Sequence, residues 1–422
     1  MMEIFVKTAH PDGLTNFQIE AALKQSLKGL KLKKVLLIPP DFTRFHSNAG
    51  LITNCYYHML KDNVEVHILP ALGTHEKMSV AECEEMYGDI PYEKFIYHNW
   101  RSDVIKIGEV PSAYIHEITD GLWGDPVGCE VNQLIMDESY DLILSIGQVV
   151  PHEVIGMANH SKNILVGCGG KETINRSHMV GAVYGMEKMM GKDHTPVRKL
   201  LDYALEHFLN TRPIVFVLTV TTAPEGNIKT HGLFIGDKRN ALEEAVKLSQ
   251  EKNINFVEKG IKKCVVYLDP KEFKSTWLGN KSIYRTRMAI ENGGDLLVLA
   301  PGITKFGEDP LIDHLIRKYG YCGRLEVMEL FRQNEDLQKN MGAAAHLIHS
   351  SSDGRFKITY AVKQVTKNEI EGVHFQYENY DDVIKKYNPA QLKAGWNHLS
   401  DGEEIYYIPN PALGLWIDKN RF

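Results

Sequence analysis

KVLLIPPDFTRFHSNAGLITNCYYHMLKDNVEVHILP, residues 34–70, decides the fold class. KVLLI (34–38) is an unbroken apolar run of strand length, the pattern of a strand covered on both faces in a parallel sheet. Two prolines stop it, helical spacing follows through 50–62, and VEVHILP (64–70) opens a second strand. The same alternation recurs outward. DLILSIG (141–147), PIVFVLTVTT (213–222), CVVYLDP (264–270), DLLVLAP (295–301) and FKITYAVKQV (356–365) read as strands. Helical patterns cover 171–190, 195–208, 238–252, 283–292, 310–320 and 340–349. The chain is therefore expected to be α/β. The polar stretch EKNINFVEKGIKK (251–263) marks a seam, giving an N-terminal catalytic domain over 1–258 and a second α/β domain over 259–394.

A chain of 422 residues with 43% hydrophobic residues can bury a sizeable core, and its length suggests two or three domains. Its formal net charge of -6 offers no general attraction to nucleic acid or to an acidic membrane surface, so a small molecule is the expected partner. MMEIFVKTAHPDG at the start lacks the basic flank and apolar run of a signal peptide, and no stretch reaches the roughly 18 apolar residues of a membrane span. The expectation is a soluble, cytoplasmic protein. The six cysteines form no CxxC pair, which signals neither a disulfide framework nor a thiolate zinc site.

Four stretches look chemical. In IPPDFTRFHSNAG (38–50), Asp41 and Arg44 lie in a strand-to-helix turn suited to an anion, although a turn-forming aspartate and a solvated arginine would read the same. In LPALGTHEKMS (69–79), Gly73 and His75 follow a strand end, where open α/β sheets bind ligands. SIGQVVPHEVIGMANHSKNILVGCGGKETINRSH (145–178) carries His152, His160, Lys162 and His178 among glycines; imidazoles there can shuttle protons or bind metal, and a glycine-rich connector with incidental histidines would also fit. In STWLGNKSIYRTRMAIENGGDLLVLAPG (275–302), Trp277 can wall a pocket and Lys281 can meet a bound anion, or they are a core tryptophan and an exposed lysine.

Together these stretches resemble the nickel-dependent lactate racemase family over about residues 36–310. Asp41 and Arg44 match its Asp-x-x-Arg, and Gly73 and His75 its Gly-x-His. Pro151, His152, Gly156 and Lys162 match its Pro-His-x-x-x-Gly with a lysine ten residues after the histidine; Gly170–Ile174 and His178 match the block that follows. Lys281 with Gly293 and Gly294 is a looser match. The resemblance implies two α/β domains with a cofactor and substrate cleft between them, the C-terminal segment 395–422 returning to the first. It implies a nickel pincer nucleotide, with Lys162 and Asp41 among its contacts and His178 as a metal ligand. His75 and His152 would be alternating base and acid, with Arg44, Lys281 and Trp277 at the substrate. The implied reaction moves hydride from C2 of a 2-hydroxy acid to the cofactor and back through a planar 2-keto acid, avoiding a high-energy carbanion. Partners would be that hydroxy acid and the host's cofactor-synthesis proteins.

The chain departs from the lactate-acting pattern at Phe45, at Asn159-His160-Ser161 in place of a glycine pair, and at Trp277-Leu278 in place of Tyr-Gln. The polarity of residues 159–161 points to a polyhydroxylated substrate, with C2 epimerisation of an aldonate such as gluconate or mannonate as the expectation. The alternative is an alcohol or polyol dehydrogenase using the same cofactor. A mere carrier would need neither His75 nor His152, and no open metal-water ligand set for a hydrolase can be assembled from the spacing.

Overall fold

The computed structural model describes residues 3–422. It divides into two compact units: the first runs to Val180 and resumes over Met189–Asn253, and the second comprises Gly181–Lys188 and Ile254–Phe422.

The first unit is built on six strands, β1 (Ile4–Lys7), β2 (Lys34–Ile38), β3 (Glu65–Ile68), β4 (Leu142–Gln148), β5 (Ile214–Thr222) and β6 (Lys229–Gly236), in the order β1-β6-β5-β4-β2-β3. Strands β3, β2, β4 and β5 are parallel to one another, and β6 and β1 add antiparallel pairings at one edge. Val35, Leu36, Leu37 and Ile38 are all fully buried, as a strand covered on both faces requires. The crossover from β2 to β3 is helix α1 (Ala49–Leu60), which buries Ala49, Ile52, Thr53, Tyr56, Tyr57 and Leu60, a stripe at three- and four-residue spacing.

Helix α2 (Lys171–Tyr184) is shorter than the expected 171–190, because Gly185 takes a φ of +102° and ends it. Helices α3 (Pro196–Phe208) and α4 (Asn240–Asn253) agree with the sequence pattern. The antiparallel pair Val104–Val110 and Val127–Asn132 carries no such signature, since charged residues interrupt its alternation.

The second unit has strands β7 (Ile261–Tyr267), β8 (Ile290–Ala300), β9 (Lys357–Val362), β10 (Gln376–Asn379), β11 (Gly395–His398) and β12 (Glu404–Ile408), ordered β10-β9-β8-β7-β12-β11. All neighbours are parallel except β11 with β12. Two expectations fail here. Residues 395–422 do not return to the first unit: β12 pairs with β7, and Trp416–Asp418 pairs with Asn255–Val257, so ladder hydrogen bonds hold the segment in the second unit. The helix expected over 283–292 is one turn, Lys281–Tyr284, followed by turns and then β8. Thr286 Oγ1 donates to the Ser282 carbonyl at 2.6 Å, and pairing with β7 and β9 claims the residues from Ile290 onward.

The excursion 181–188 is tied to the second unit by charge. The Glu187 carboxylate accepts from Arg287 Nε at 3.0 Å, Arg355 Nε at 2.9 Å and Arg421 Nη2 at 2.9 Å. No helix among the described residues is long and apolar enough to cross a membrane.

Candidate active site

Three loops at the carboxyl ends of β2, β3 and β4 gather the candidate residues of the first unit. After β2, Pro39 and Pro40 lead to Asp41, which is 5% exposed. After β3, the parallel bridge between Pro40 and Ala71 holds the next loop alongside, and Gly73 donates its N–H to the Gly167 carbonyl at 2.7 Å. Gly73 sits at φ +57°, a conformation glycine adopts without Cβ strain, and His75 follows in the same turn.

Asp41 and His75 form a hydrogen-bonded pair, His75 Nδ1 donating to Asp41 Oδ2. Thr43 Oγ1 donates to the other oxygen, Oδ1, at 2.5 Å. Burial works to raise the Asp41 pKa, but the His75 bond and charge, Thr43 and Arg44 together hold it below the usual carboxylate value. An ionised Asp41 fixes the His75 proton on Nδ1 and leaves Nε2 as an acceptor; the ring is 55% exposed. Asp41, expected among the cofactor contacts, thus spends its carboxylate on the histidine and Thr43. Arg44 is exposed and has no ion-pair partner among the described residues.

After β4, Pro151–His152 pairs with Gly156–Met157 in a two-residue ladder, which closes a tight turn and buries His152 to 8% exposure. Its Nδ1 accepts from the Val154 N–H at 3.2 Å, so the neutral ring carries its proton on Nε2. The two histidines hold opposite tautomers: His75 presents a lone pair at Nε2, His152 a proton at Nε2.

Lys162 is half-buried at the head of the π-helical turn Asn163–Gly167. Burial, and then the Arg44 charge, push its ammonium down to about 8, with Glu153 and Asp41 opposing. The same field links it to His178 on α2, whose pKa is lowered by burial and by Lys162. His178 Nδ1 donates to the Ile174 carbonyl at 2.6 Å, leaving Nε2 with a lone pair to offer. The N-terminus of α2 is fixed from below: Glu130 Oε2 accepts from the Glu172 N–H at 3.0 Å, and Thr173 Oγ1 accepts from the Glu130 N–H at 2.7 Å.

The loop Met157–Lys162 has its own clamp. Arg198 of α3, 1% exposed, donates to the Met157 carbonyl at 2.6 Å, the Asn159 carbonyl at 3.1 Å and Ser161 Oγ at 2.8 Å. Asn159 and His160 both take left-handed conformations, at φ +67° and +57°. That geometry accounts for a glycine pair at these positions in the resembled pattern. Their side chains turn away from solvent: Asn159 Oδ1 accepts from the His160 N–H at 2.6 Å, His160 stacks on Phe216 with ring centroids 3.8 Å apart, and Ser161 Oγ donates to Asp202 Oδ1 at 2.6 Å. Asn159 Oδ1 and Ser161 Oγ are engaged inside the unit and His160 is buried against Phe216, which removes the reason for expecting a polyhydroxylated substrate from them.

In the second unit, Trp277 lies in the single turn Thr276–Gly279 with one indole face stacked on His346, centroids 4.0 Å apart. Lys281 opens the next turn, its Nζ 5.9 Å from the centre of the Phe273 ring. The structure thus draws Asp41, Arg44, His75, Lys162 and His178 into one electrostatic neighbourhood and leaves Trp277 and Lys281 to the second unit. Sequence reading missed Glu153, adjacent to His152, and the supports Glu130, Arg198 and Asp202, which are distant in sequence from what they hold.

Residues 14–191 match the family described as the lactate racemase N-terminal domain, a span that contains Asp41, Arg44, His75, His152, Lys162 and His178. The match spans less than half of the chain and assigns residues 14–191 to that domain family. Two solved structures share the fold over nearly the whole chain. A Thermotoga maritima protein solved by a structural genomics consortium is 23% identical with a TM-score of 0.79, covering 98% of this chain and 100% of its own. The lactate racemase apoprotein of Thermoanaerobacterium thermosaccharolyticum is 16% identical with a TM-score of 0.69, covering 94% of this chain and 92% of its own. No curated protein matches the chain in sequence.

The family's implied nickel pincer nucleotide can be tested against the donors present. Among the described residues no group of three His, Cys, Asp or Glu could hold a metal ion by itself. A metal at His178 would therefore take most of its ligands from a bound organic group. The Nε2 lone pair of His178 and the lowered pKa of Lys162 suit one imidazole ligand and one amine nucleophile, so the residues fit such a cofactor.

Proposed function

We propose that the protein is a racemase or epimerase of a small 2-hydroxy acid that works with a nickel pincer nucleotide. The observation that carries this reading is the pair of opposite tautomers at His75 and His152. Inverting a carbinol centre through a ketone needs a base for the hydroxyl proton on one side and an acid on the other. His75 Nε2 is prepared to accept a proton, with Asp41 compensating the imidazolium that results. His152 Nε2–H would donate a hydrogen bond to the substrate oxygen, and full proton transfer from it would require the imidazolium, in which Nδ1 gives up the Val154 N–H for a proton of its own; the reverse reaction exchanges the roles. Arg44, with no ion-pair partner among the described residues, pairs with the substrate carboxylate as a two-pronged donor. Lys162 and His178 would hold the cofactor. When bound, that group supplies the hydride acceptor and donor that a side chain cannot.

Lys281 and Trp277 lie in the second unit, and the proposed proton transfers need neither. His346 supports the indole from behind, so one face only is offered. Since Asn159, His160 and Ser161 do not supply polarity at the site, an aldonate has no advantage over a smaller acid on their account.

The test is turnover of C2-deuterated lactate, malate, gluconate and mannonate by cofactor-loaded protein, followed by NMR, with sorbitol as a neutral control. Inverted acid that keeps its deuterium supports the reading and names the substrate. Deuterium loss to solvent would replace it with proton abstraction at C2, and oxidation of sorbitol without inversion of any acid would replace it with a dehydrogenase.

A further inference from the structure

The parallel strands of the first unit have a second concavity at their other end. A cavity of about 650 Å³ opens where β4 and β5 begin, lined by Leu142, Ile214, Val215 and Phe216 from the strands and by Leu205 and Leu209 from the α3 side. Its volume is that of a ligand pocket. The candidate active residues follow the carboxyl ends of β2, β3 and β4. At strand rise the two ends of β4 lie about 20 Å apart, and the cavity reaches inward from its end as far as His160, two residues before Lys162.

The floor of this cavity is His160, 3% exposed. One ring face is covered by Phe216, and neither Nδ1 nor Nε2 has a hydrogen-bond partner. Asp202 Oδ1 is 3.8 Å from Nδ1, beyond hydrogen-bond reach, and is already engaged by Ser161. A buried polar ring with both nitrogens unmet is costly, and one more hydrogen-bonding molecule in the cavity would remove the cost.

We propose that this cavity is a second small-molecule site, separate from the active site, taking a neutral ligand with an apolar body and a hydroxyl group at its inner end. The hydroxyl follows from the ring: neutral imidazole offers one donor and one acceptor, and a hydroxyl answers either. The apolar body follows from the leucine, isoleucine and phenylalanine walls. Neutrality follows from the rim. Arg239 is taken up by Asp202 and Asp193 and Arg212 donates to the Ile135 and Asp137 carbonyls, while Asp141, Glu206 and Asp237 outnumber Lys238 among the other charged lining residues, so a carboxylate would meet a net like charge. The hydroxy acid of the active site is thereby disfavoured here. Only Ser161 separates His160 from Lys162, so occupancy bears on the loop that carries the lysine.

The full-length chain with 13C-labelled histidine tests this, with phenol and cyclohexanol as probes and sodium lactate as the charged control. The His160 ring signal is assigned by its loss in His160→Asn, a residue that tolerates the left-handed backbone. A saturable shift of that signal is expected with either hydroxyl probe, at a Kd of about 1 mM for so small a ligand. Leu205→Trp, which fills the cavity, should weaken binding at least about tenfold, a loss of 1.4 kcal/mol or more. Leu30→Trp, at an exposed lining position that accepts a larger side chain, should weaken it in the same direction. No saturable shift with either probe, an equal response to lactate, or full binding in both folded tryptophan variants would overturn the proposal.

Discussion

Asp41 accepts the Nδ1 proton of His75, and this one bond decides which nitrogen of an otherwise exposed imidazole is left as an acceptor. The carboxylate can do so because β2 delivers it, buried, to the strand end, with Thr43 answering its second oxygen. Replacing Asp41 with Asn keeps the shape and removes the charge. An amide can turn its NH2 toward Nδ1, which favours the opposite tautomer and removes the lone pair from Nε2. Turnover of the inverted acid by Asp41→Asn should fall by about a thousandfold with KM nearly unchanged. A proportional rise in KM at constant kcat would instead make Asp41 a binding residue.

Lys162 should be recognisable by its pH response. With a pKa of about 8 it is about one-tenth neutral at pH 7 and mostly neutral at pH 9. Acylation of Lys162, followed by mass spectrometry of the cofactor-free protein, should climb through pH 8 and then level off, while surface lysines keep climbing toward ~10.4. The sign for stability follows. The folded chain binds fewer protons at this site than the unfolded chain between about 8 and the ordinary lysine value, so the lysine's contribution rises with pH across that window and is lost as pH falls through 8. Lys162→Met should therefore stabilise the cofactor-free protein at pH 7, by about 1 kcal/mol after allowing for the residue's partial exposure, and less at pH 10.

Much of this architecture is legible from local pattern. The run 34–38 announces a doubly covered strand, and strand-end loops then pair Asp41 with His75 and set His152 after the neighbouring strand β4. What escapes is whatever depends on partners far away in the chain. The stretch 283–292 has helical spacing, yet pairing of Ile290 with β7 takes its end for a strand. Residues 159–161 look like substrate-facing polarity until Arg198, Asp202 and Phe216, between 37 and 56 residues onward, are seen to occupy them. No spacing rule connects such residues, because a side chain's neighbours across a sheet are set by topology and not by sequence distance.

Arg198 offers a test of that hidden support. Its guanidinium is buried and satisfied by backbone carbonyls of the very loop that presents Lys162. Arg198→Met leaves those carbonyls and Ser161 without their donor and Asp202 with one cation fewer. The variant should lose about 3–5 kcal/mol in denaturant unfolding of the first unit. The Lys162 labelling midpoint should also move upward, since a loosened loop admits water around the amine. An unchanged midpoint with the stability loss intact would confine Arg198 to folding alone.

His178 gives a prediction with a metal readout. Its Nδ1–H is committed to the Ile174 carbonyl, so only Nε2 can serve a metal, and among the described residues no cluster of three protein donors stands ready to compensate for its loss. His178→Ala should retain less than about a tenth of the wild-type nickel after gel filtration of cofactor-loaded protein. Lys162 should remain reactive toward amine reagents, which distinguishes a missing ligand from a collapsed site. Full nickel retention would remove His178 from the metal.

Glu187 concentrates the charge of the second unit in one place. Three guanidiniums, those of Arg287, Arg355 and Arg421, converge on it, and Arg287 is only 4% exposed. They hold its carboxyl below the ordinary value against a burial effect that would raise it. Glu187→Gln keeps the size but leaves clustered cations facing one another, with Asp353 the remaining carboxylate on Arg287. Breaking such a centre should cost about 2–4 kcal/mol. The loss should appear as faster hydrogen exchange at 181–188 and around Arg355 and Arg421, with the β2–β5 amides of the first unit unaffected. Pairing Glu187→Gln with Arg355→Met relieves part of the repulsion, so the double variant should be more stable than the sum of the two single losses. Strict additivity would show that the arginines contribute independently and that Glu187 is not their common anchor.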